Sequence, residues 1–290
     1  MVNPFELTPD NHLDKPLERP IPKRRLGRTN AEVTIFGLGG EGVLRSEGKD
    51  REAADVIHAA LDLGVNYFES ANAYSGSEAY YGNALKGKRD GVFLASKSHA
   101  RDKEGALAHL RQSLSSLKTG HLDLWMVHDV RTDEDVEQIF APGGAMEAFV
   151  EAKEKGLVRF IGVTGHQDPA VIKKCLETFD FDTVLIPVNP AEPHYRCFIE
   201  EIVPIAGAKD IGVMGMKLYL RGNWNAPKKL LFCYALSMPV SIGVIGCDNP
   251  DHVKENAYIA SNFIPLKHKE VQRLNQIVAP YARDLMFYKP

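Results

Sequence analysis

The sequence predicts a (β/α)8 barrel with a short N-terminal hairpin and an extra C-terminal helix. Eight short apolar runs, too continuous to have one wet face, alternate with segments whose apolar residues recur at helical spacing. A chain of 290 residues suits one such barrel, typically about 250 residues, and no linker is long enough to divide it. A doubly wound sheet fits less well. Gly37-Leu38-Gly39-Gly40-Glu41-Gly42 misses the Gly-x-Gly-x-x-Gly spacing, and no helix opens directly from it.

Taken in order, residues 1–22 are rich in proline and charge and read as an arm without its own core, leaving 23–290 as the barrel domain. Arg24 to Asn30 reads as a strand and turn, and Val33–Leu38 as the next strand, which makes the hairpin. Asp50–Leu63 is a helix, with Ala53, Ala54, Ile57 and Leu61 on one face, and it stops at Gly64. Tyr67–Phe68 is a strand, followed by a helix near Ser77–Leu85. The strands Val92–Ala95, Leu122–Val127 and Phe160–Val163 follow, separated by the helices Lys103–Leu117 and Gly144–Lys155. Pro169–Thr178 is a helix with proline at its start, where a missing N–H costs nothing. Val184–Val188, Gly212–Met216 and Val240–Ile245 complete the strands. Helices follow them near Phe198–Ala208, Pro227–Leu236 and Pro250–Ala260, and Gln272–Asp284 is the additional helix.

Composition narrows the function. A net charge of −3 gives no general attraction to nucleic acid or an anionic membrane. No apolar run approaches the ~18 residues that a membrane span needs, and the polar, acidic opening MVNPFELTPDNHLDKP does not read as a secretory signal. A cytosolic protein is the expectation. Cys175, Cys197, Cys233 and Cys247 form no Cys-x-x-Cys pair, which argues against a zinc knuckle, an iron–sulfur cluster or a disulfide framework.

Barrel chemistry gathers at the C-terminal ends of the strands. Those positions read Glu41, Glu69, Lys97, His128-Asp129, His166, Asn189, Lys217 and Gly246. Polar residues that recur right after apolar strands are more than packing requires. Most strand-end lysines simply reach solvent. Lys97, however, has a carboxylate and a phenol on the neighbouring strand–loop junction, Glu69 and Tyr74. An ammonium beside a phenol favours phenolate, and Glu69 would hold that ammonium in place. A lone histidine after a strand is more often structural, but His128, on the next strand, is placed to orient a carbonyl and stabilise developing negative charge.

GVNYFESANAYSGSEAYYGNAL, residues 64–85, resembles the aldo-keto reductase signature G-x-N-x-x-D-T-A-x-x-Y-G-x-S-E-x-x-x-G-x-x-L. Lys97 in LASK and His128 in DLWMVHD fall where that superfamily has its catalytic lysine and histidine. The segments RRLGRTNAEV, RFIGVTGH and GCDNPDHVKEN are similar too, so the resemblance runs from about Arg24 to Asn256. It implies reversible hydride transfer between NADP(H), or NAD(H), and a small-molecule carbonyl or alcohol. Tyr74 would be the general acid, Lys97 would lower its pKa, His128 would position the carbonyl, and Glu69 would anchor Lys97.

The sequence departs from the family pattern at several places. Glu69 stands where the family usually has aspartate, and Ser75 intrudes between Tyr74 and Gly76. The resemblance places Gly40, Thr164, Gly165 and Asn189 on the cofactor side, the last three near the carboxamide, with Pro187 where the family's glutamine is expected. Met216 and Lys217 replace a Tyr-Ser pair: Met216 would pack on the nicotinamide or simply in the barrel, and Lys217 would meet the pyrophosphate. Gly246, Cys247 and His252 stand where NADPH-preferring members often carry Lys, Ser and Arg, while Glu255 and Asn256 are retained. Fewer cations there weaken recognition of a 2′-phosphate. The specificity loops would include Glu41, Trp224 and Phe287.

Two other readings remain open. Glu69, His128, His166 and His194 with Glu192 offer ligands for a metal-dependent barrel hydrolase or isomerase, although no His-x-His or His-x-x-x-His pair is present and no metal ligand is assigned. Glu69 also keeps open a cofactor-binding regulatory barrel with little catalysis.

Overall fold

The computed structural model describes residues 17–290. A two-stranded antiparallel hairpin, β1 (Lys23–Arg25) and β2 (Glu32–Thr34), precedes a closed parallel barrel. The barrel strands are β3 (Phe36–Gly42), β4 (Tyr67–Glu69), β5 (Phe93–Ser98), β6 (Leu122–Val127), β7 (Val158–Thr164), β8 (Thr183–Pro187), β9 (Gly212–Met216) and β10 (Ile242–Cys247). They pair in chain order, and β10 closes on β3 with Val244 opposite Gly37. Around them lie α1 (Asp50–Asp62), α2 (Ser77–Ala84), α3 (Lys103–Ser116), α4 (Asp133–Phe140), α5 (Ala145–Glu154), α6 (Pro169–Thr178), α7 (Phe198–Ala208), α8 (Lys228–Ser237), α9 (Pro250–Ser261), α10 (His268–Val278) and α11 (Ala282–Leu285). Among the described residues no helix is long and apolar enough to cross a membrane.

The apolar strand runs serve two cores. Side chains pointing inward, among them Tyr67, Phe93, Leu124, Met126, Leu185, Met214 and Ile242, fill the barrel. Those pointing outward meet the helices, as where Trp125 of β6 stacks on Phe149 of α5 with ring centroids 3.7 Å apart. The hairpin closes the N-terminal end of the barrel by adding Leu26 and Val33 to the interior cluster. Gly27, at φ +49°, allows this approach: a Cβ there would lie 2.2 Å from the Gly212 nitrogen.

Several boundaries differ from the sequence reading. The strand expected over Val33–Leu38 divides at Ile35 into hairpin and barrel strands. Helix α4 was not anticipated, because its eight residues bury only Ile139; its cue was the Thr132–Asp135 capping box. The helix expected over Gln272–Asp284 starts earlier, at His268, and is interrupted by a 3-10 turn at Ala279–Tyr281, where Pro280 has no N–H to continue it. Most of the arm expected over 1–22 lies outside the described residues. Of the remainder, Ile21 is buried in the core and Leu17 packs against it.

Candidate active site

Strand register assembles the four candidate catalytic residues. Glu69 of β4 is paired with Ala95 of β5, so Lys97, two residues on, points to the same side. Lys97 is paired with Met126 of β6, and His128 lies two residues beyond that. The ladder runs past the strand ends, with Ser70 donating to the Ala95 carbonyl and Asn72 to the Lys97 carbonyl. A tight turn then brings Tyr74 back: its N–H donates to the Ala71 carbonyl, and its own carbonyl accepts from Ser77 at the start of α2.

The resulting cluster is compact. Lys97 Nζ, 1% exposed, donates to Glu69 Oε1 at 2.5 Å and to the Ser70 carbonyl at 2.8 Å. It lies 4.8 Å from the centre of the Tyr74 ring, and the Tyr74 and His128 rings meet edge to face at 5.7 Å. Glu69 Oε2 and His128 Nδ1 are buried without hydrogen-bond partners.

Burial dominates the electrostatics, and pairing decides the outcome for each group. Burial lifts the Tyr74 phenol above its ordinary value. The nearby Lys97 pulls the other way, as the sequence suggested, without overcoming it. Burial would lower Lys97, but Glu69 and Tyr74 outweigh it and keep the ammonium charged. His128 is driven well below its ordinary value, by burial first and then by Lys97, so its imidazole is neutral at pH 7.

These groups lie in a cleft of about 1130 Å³ at the C-terminal end of the barrel. Of the residues placed on the cofactor side by sequence, Gly40, Thr164, Met216, Lys217, Gly246, His252 and Asn256 line it. The others are elsewhere. Gly165 packs against Ile172 and the Val130 carbonyl. Cys247 is fully buried, with Asn256 Nδ2 3.5 Å from its sulfur. Glu255 is paired at 2.6 Å with Lys228. Asn189 is buried and already engaged: its amide nitrogen donates to Tyr288 Oη at 2.8 Å and the Lys217 carbonyl at 3.2 Å, while its oxygen accepts from the Ala191 N–H.

Sequence reasoning passed over several residues around this cleft. Arg45, in the 3-10 turn Val43–Arg45, bonds Glu41 at 3.1 Å and stacks on Tyr74; Arg221 lies 4.3 Å from the centre of the Phe287 ring. A lone arginine in a loop carries no sequence cue to either position. The last residues form a latch. Lys289 Nζ, fully buried, donates to Glu192 Oε2 at 2.8 Å and to the carbonyls of Tyr195 and Arg196, and Tyr288 Oη donates to Glu192 Oε1 at 2.7 Å. The latch sets Phe287 and Tyr288 in the lining of the cleft, which Glu41 and Trp224 share.

The residues of the metal reading do not converge. Glu192 is held by Lys289, His194 Nε2 meets the Asn275 carbonyl at 2.9 Å, and His166 Nδ1 lies 3.0 Å from Asp129 Oδ1 without hydrogen-bonding alignment. Among the described residues no three His, Cys, Asp or Glu side chains group as ligands.

Comparison with known proteins gives the family. The structure superposes on aldo-keto reductase AKR11C1 of Bacillus halodurans in its holo form with a TM-score of 0.76, at 24% identity over 89% of this chain and 96% of that one. It superposes on an aldo-keto reductase of Klebsiella pneumoniae in complex with NADPH with a TM-score of 0.72, at 22% identity over 89% and 95%. In sequence, the chain is 26% identical over 179 residues to an uncharacterized oxidoreductase, YqkF, of Bacillus subtilis, covering 57% of this chain and 55% of that one. It is 28% identical over 191 residues to the aldo-keto reductase YhdN of the same organism, covering 60% and 54%. The matched stretch thus spans about half the length of these relatives. The profile of the Aldo/keto reductase family matches residues 35–226, well over half of the sequence, and the chain belongs to that family.

Proposed function

We propose that the protein is an NADP(H)-dependent oxidoreductase that interconverts a carbonyl compound and its alcohol, with Tyr74 as general acid and base. The observation that carries this is the Glu69–Lys97–Tyr74–His128 cluster at the cleft floor. The cleft suits a dinucleotide. Gly39, Gly40 and Gly246 bring bare backbone to its lining, Lys217 and Arg221 supply cations for a pyrophosphate, and Asn256 and His252 line it as well. NADPH is bound by the Klebsiella relative of the same fold. Bound here, the reduced nicotinamide supplies the hydride that the carbonyl carbon receives.

The chain's own residues manage the proton. Tyr74, kept protonated by burial, donates from its hydroxyl to the carbonyl oxygen. Lys97 has one N–H left after Glu69 and the Ser70 carbonyl, and its charge stabilises the phenolate left behind. Neutral His128 orients the carbonyl beside Tyr74 without adding a second positive charge.

Titration with NADPH and with NADH, followed by tryptophan fluorescence, tests the cofactor half. Trp224 lines the cleft and reports occupancy. Saturable quenching is expected. The cations of the cleft nearest α9, His252 and Lys228, each face a carboxylate, Asp248 at 3.5 Å and Glu255 at 2.6 Å, so the two affinities should lie within about tenfold of each other. Binding of neither cofactor would defeat the proposal.

A further inference from the structure

We propose that Arg45 selects carbonyl substrates that carry a carboxylate close to the carbonyl, an inference that rests on the reductase reading above. The guanidinium lies over the ring of the proton donor, with Cζ 4.7 Å from the Tyr74 centroid, while Lys97 Nζ lies 4.8 Å from the same point. One Arg45 nitrogen donates to Glu41 at 3.1 Å; its Nε and other terminal nitrogen have no hydrogen-bond partner among the described residues. A planar fork with free donors is the geometry that binds carboxylates in bidentate fashion. Here it sits over the ring of the phenol that would protonate the carbonyl.

The surrounding charges favour an anion. Arg45, Lys97, Lys217 and Arg221 all act on Glu41, and Lys97 is already matched by Glu69. Burial alone would raise the Glu41 carboxyl; these four cations, Lys217 foremost, bring it below its ordinary value instead. Glu41 engages Arg45 through one nitrogen, which leaves the other donors of the guanidinium open. Of the other arginines of the cleft, Arg131 is bound to Asp129 through two of its nitrogens, and Arg221 lies against the Phe287 face, which Lys217 also approaches. A short substrate whose carbonyl oxygen meets Tyr74 thus has in Arg45 a fork that touches the Tyr74 ring and keeps donors to spare.

The test compares 4-oxobutanoate and glyoxylate with the neutral methyl ester of 4-oxobutanoate. It uses the wild type, Arg45→Met and Arg45→Lys, with the cofactor Kd measured in parallel. The wild type should prefer the acids. Arg45→Met should lower the acid-to-ester ratio of kcat/KM by at least about tenfold, mainly through KM for the acids, because a charge-assisted pair is lost. Arg45→Lys should keep part of the preference, since the charge remains and the fork does not. Equal loss on acid and ester would mean that Arg45 only positions Tyr74, and a weakened cofactor Kd that it holds a phosphate; either overturns the proposal. Turnover of the ester without preference for the acids would remove this inference and leave the reductase reading standing. No turnover of any carbonyl would remove both.

Discussion

Glu69 reaches Lys97 with one oxygen at 2.5 Å and leaves the other buried and unpaired. The extra methylene relative to aspartate is thus taken up by a contact the site already makes. Glu69→Asp would withdraw the carboxylate by about an ångström or more and let Lys97 drift from Tyr74. Turnover should fall by about 10²-fold, the cost of a 1 Å misplacement; a rise would show that the native site is detuned. The ionisation of the site gives a second expectation. Burial raises the Tyr74 phenol above its ordinary value and drives His128 well below its own. The proposed proton donor is therefore lost only as pH rises through the alkaline range, and His128 stays neutral at and above pH 7. The kcat/KM for reduction should be level through neutrality and fall only in the alkaline range; an inflection near neutrality would contradict these assignments. The clustering of these four residues was legible in sequence because Glu69, Lys97 and His128 close successive apolar runs and Tyr74 follows the first, while their catalytic roles rest on the resemblance and are a proposal. Arg45 was not legible there, since its position over Tyr74 depends on how the loop after β3 folds back.

At the scale of elements, the latch between the β8–α7 loop and the last residues is the least expected feature. Burial raises the Glu192 carboxyl and lowers the Lys289 ammonium, so each depends on the other to stay charged. Lys289→Met leaves a buried carboxylate with only Tyr288 and the Phe198 N–H, and should cost about 3–5 kcal/mol of stability. Adding Glu192→Gln should recover part of that loss, and thermal denaturation of the three variants checks both statements; a Tm unchanged by Lys289→Met would show that the pair is not holding the tail. The resemblance placed Asn189 near the cofactor carboxamide, and the metal reading offered Glu192 as a ligand; both sit just past β8. Neither could be matched in advance with Tyr288 and Lys289, about a hundred residues further along. The same limit explains Gly165 and Cys247: register tells which strand end a residue occupies, but the packing of α6 and α9 decides which way it faces.

For the whole molecule, the barrel was readable from eight apolar runs because strands buried on both faces leave little room for another interpretation. Barrel closure brings β4, β5 and β6 side by side, so residues separated by 59 positions from Glu69 to His128 become one cluster. The details that failed, the split at Ile35 and the break at Pro280, lie where the chain leaves the repeating β–α pattern. The central claim is that this family barrel moves a proton through Tyr74. Its most direct test is NADPH-dependent reduction of a carbonyl panel by the wild type and by Tyr74→Phe, with cofactor affinity measured for both. The expected result is turnover by the wild type, a loss of about 10²- to 10⁴-fold in the variant, and cofactor affinities that agree within a few-fold. Equal rates for the two proteins, or two proteins that bind NADPH and reduce nothing, would contradict it.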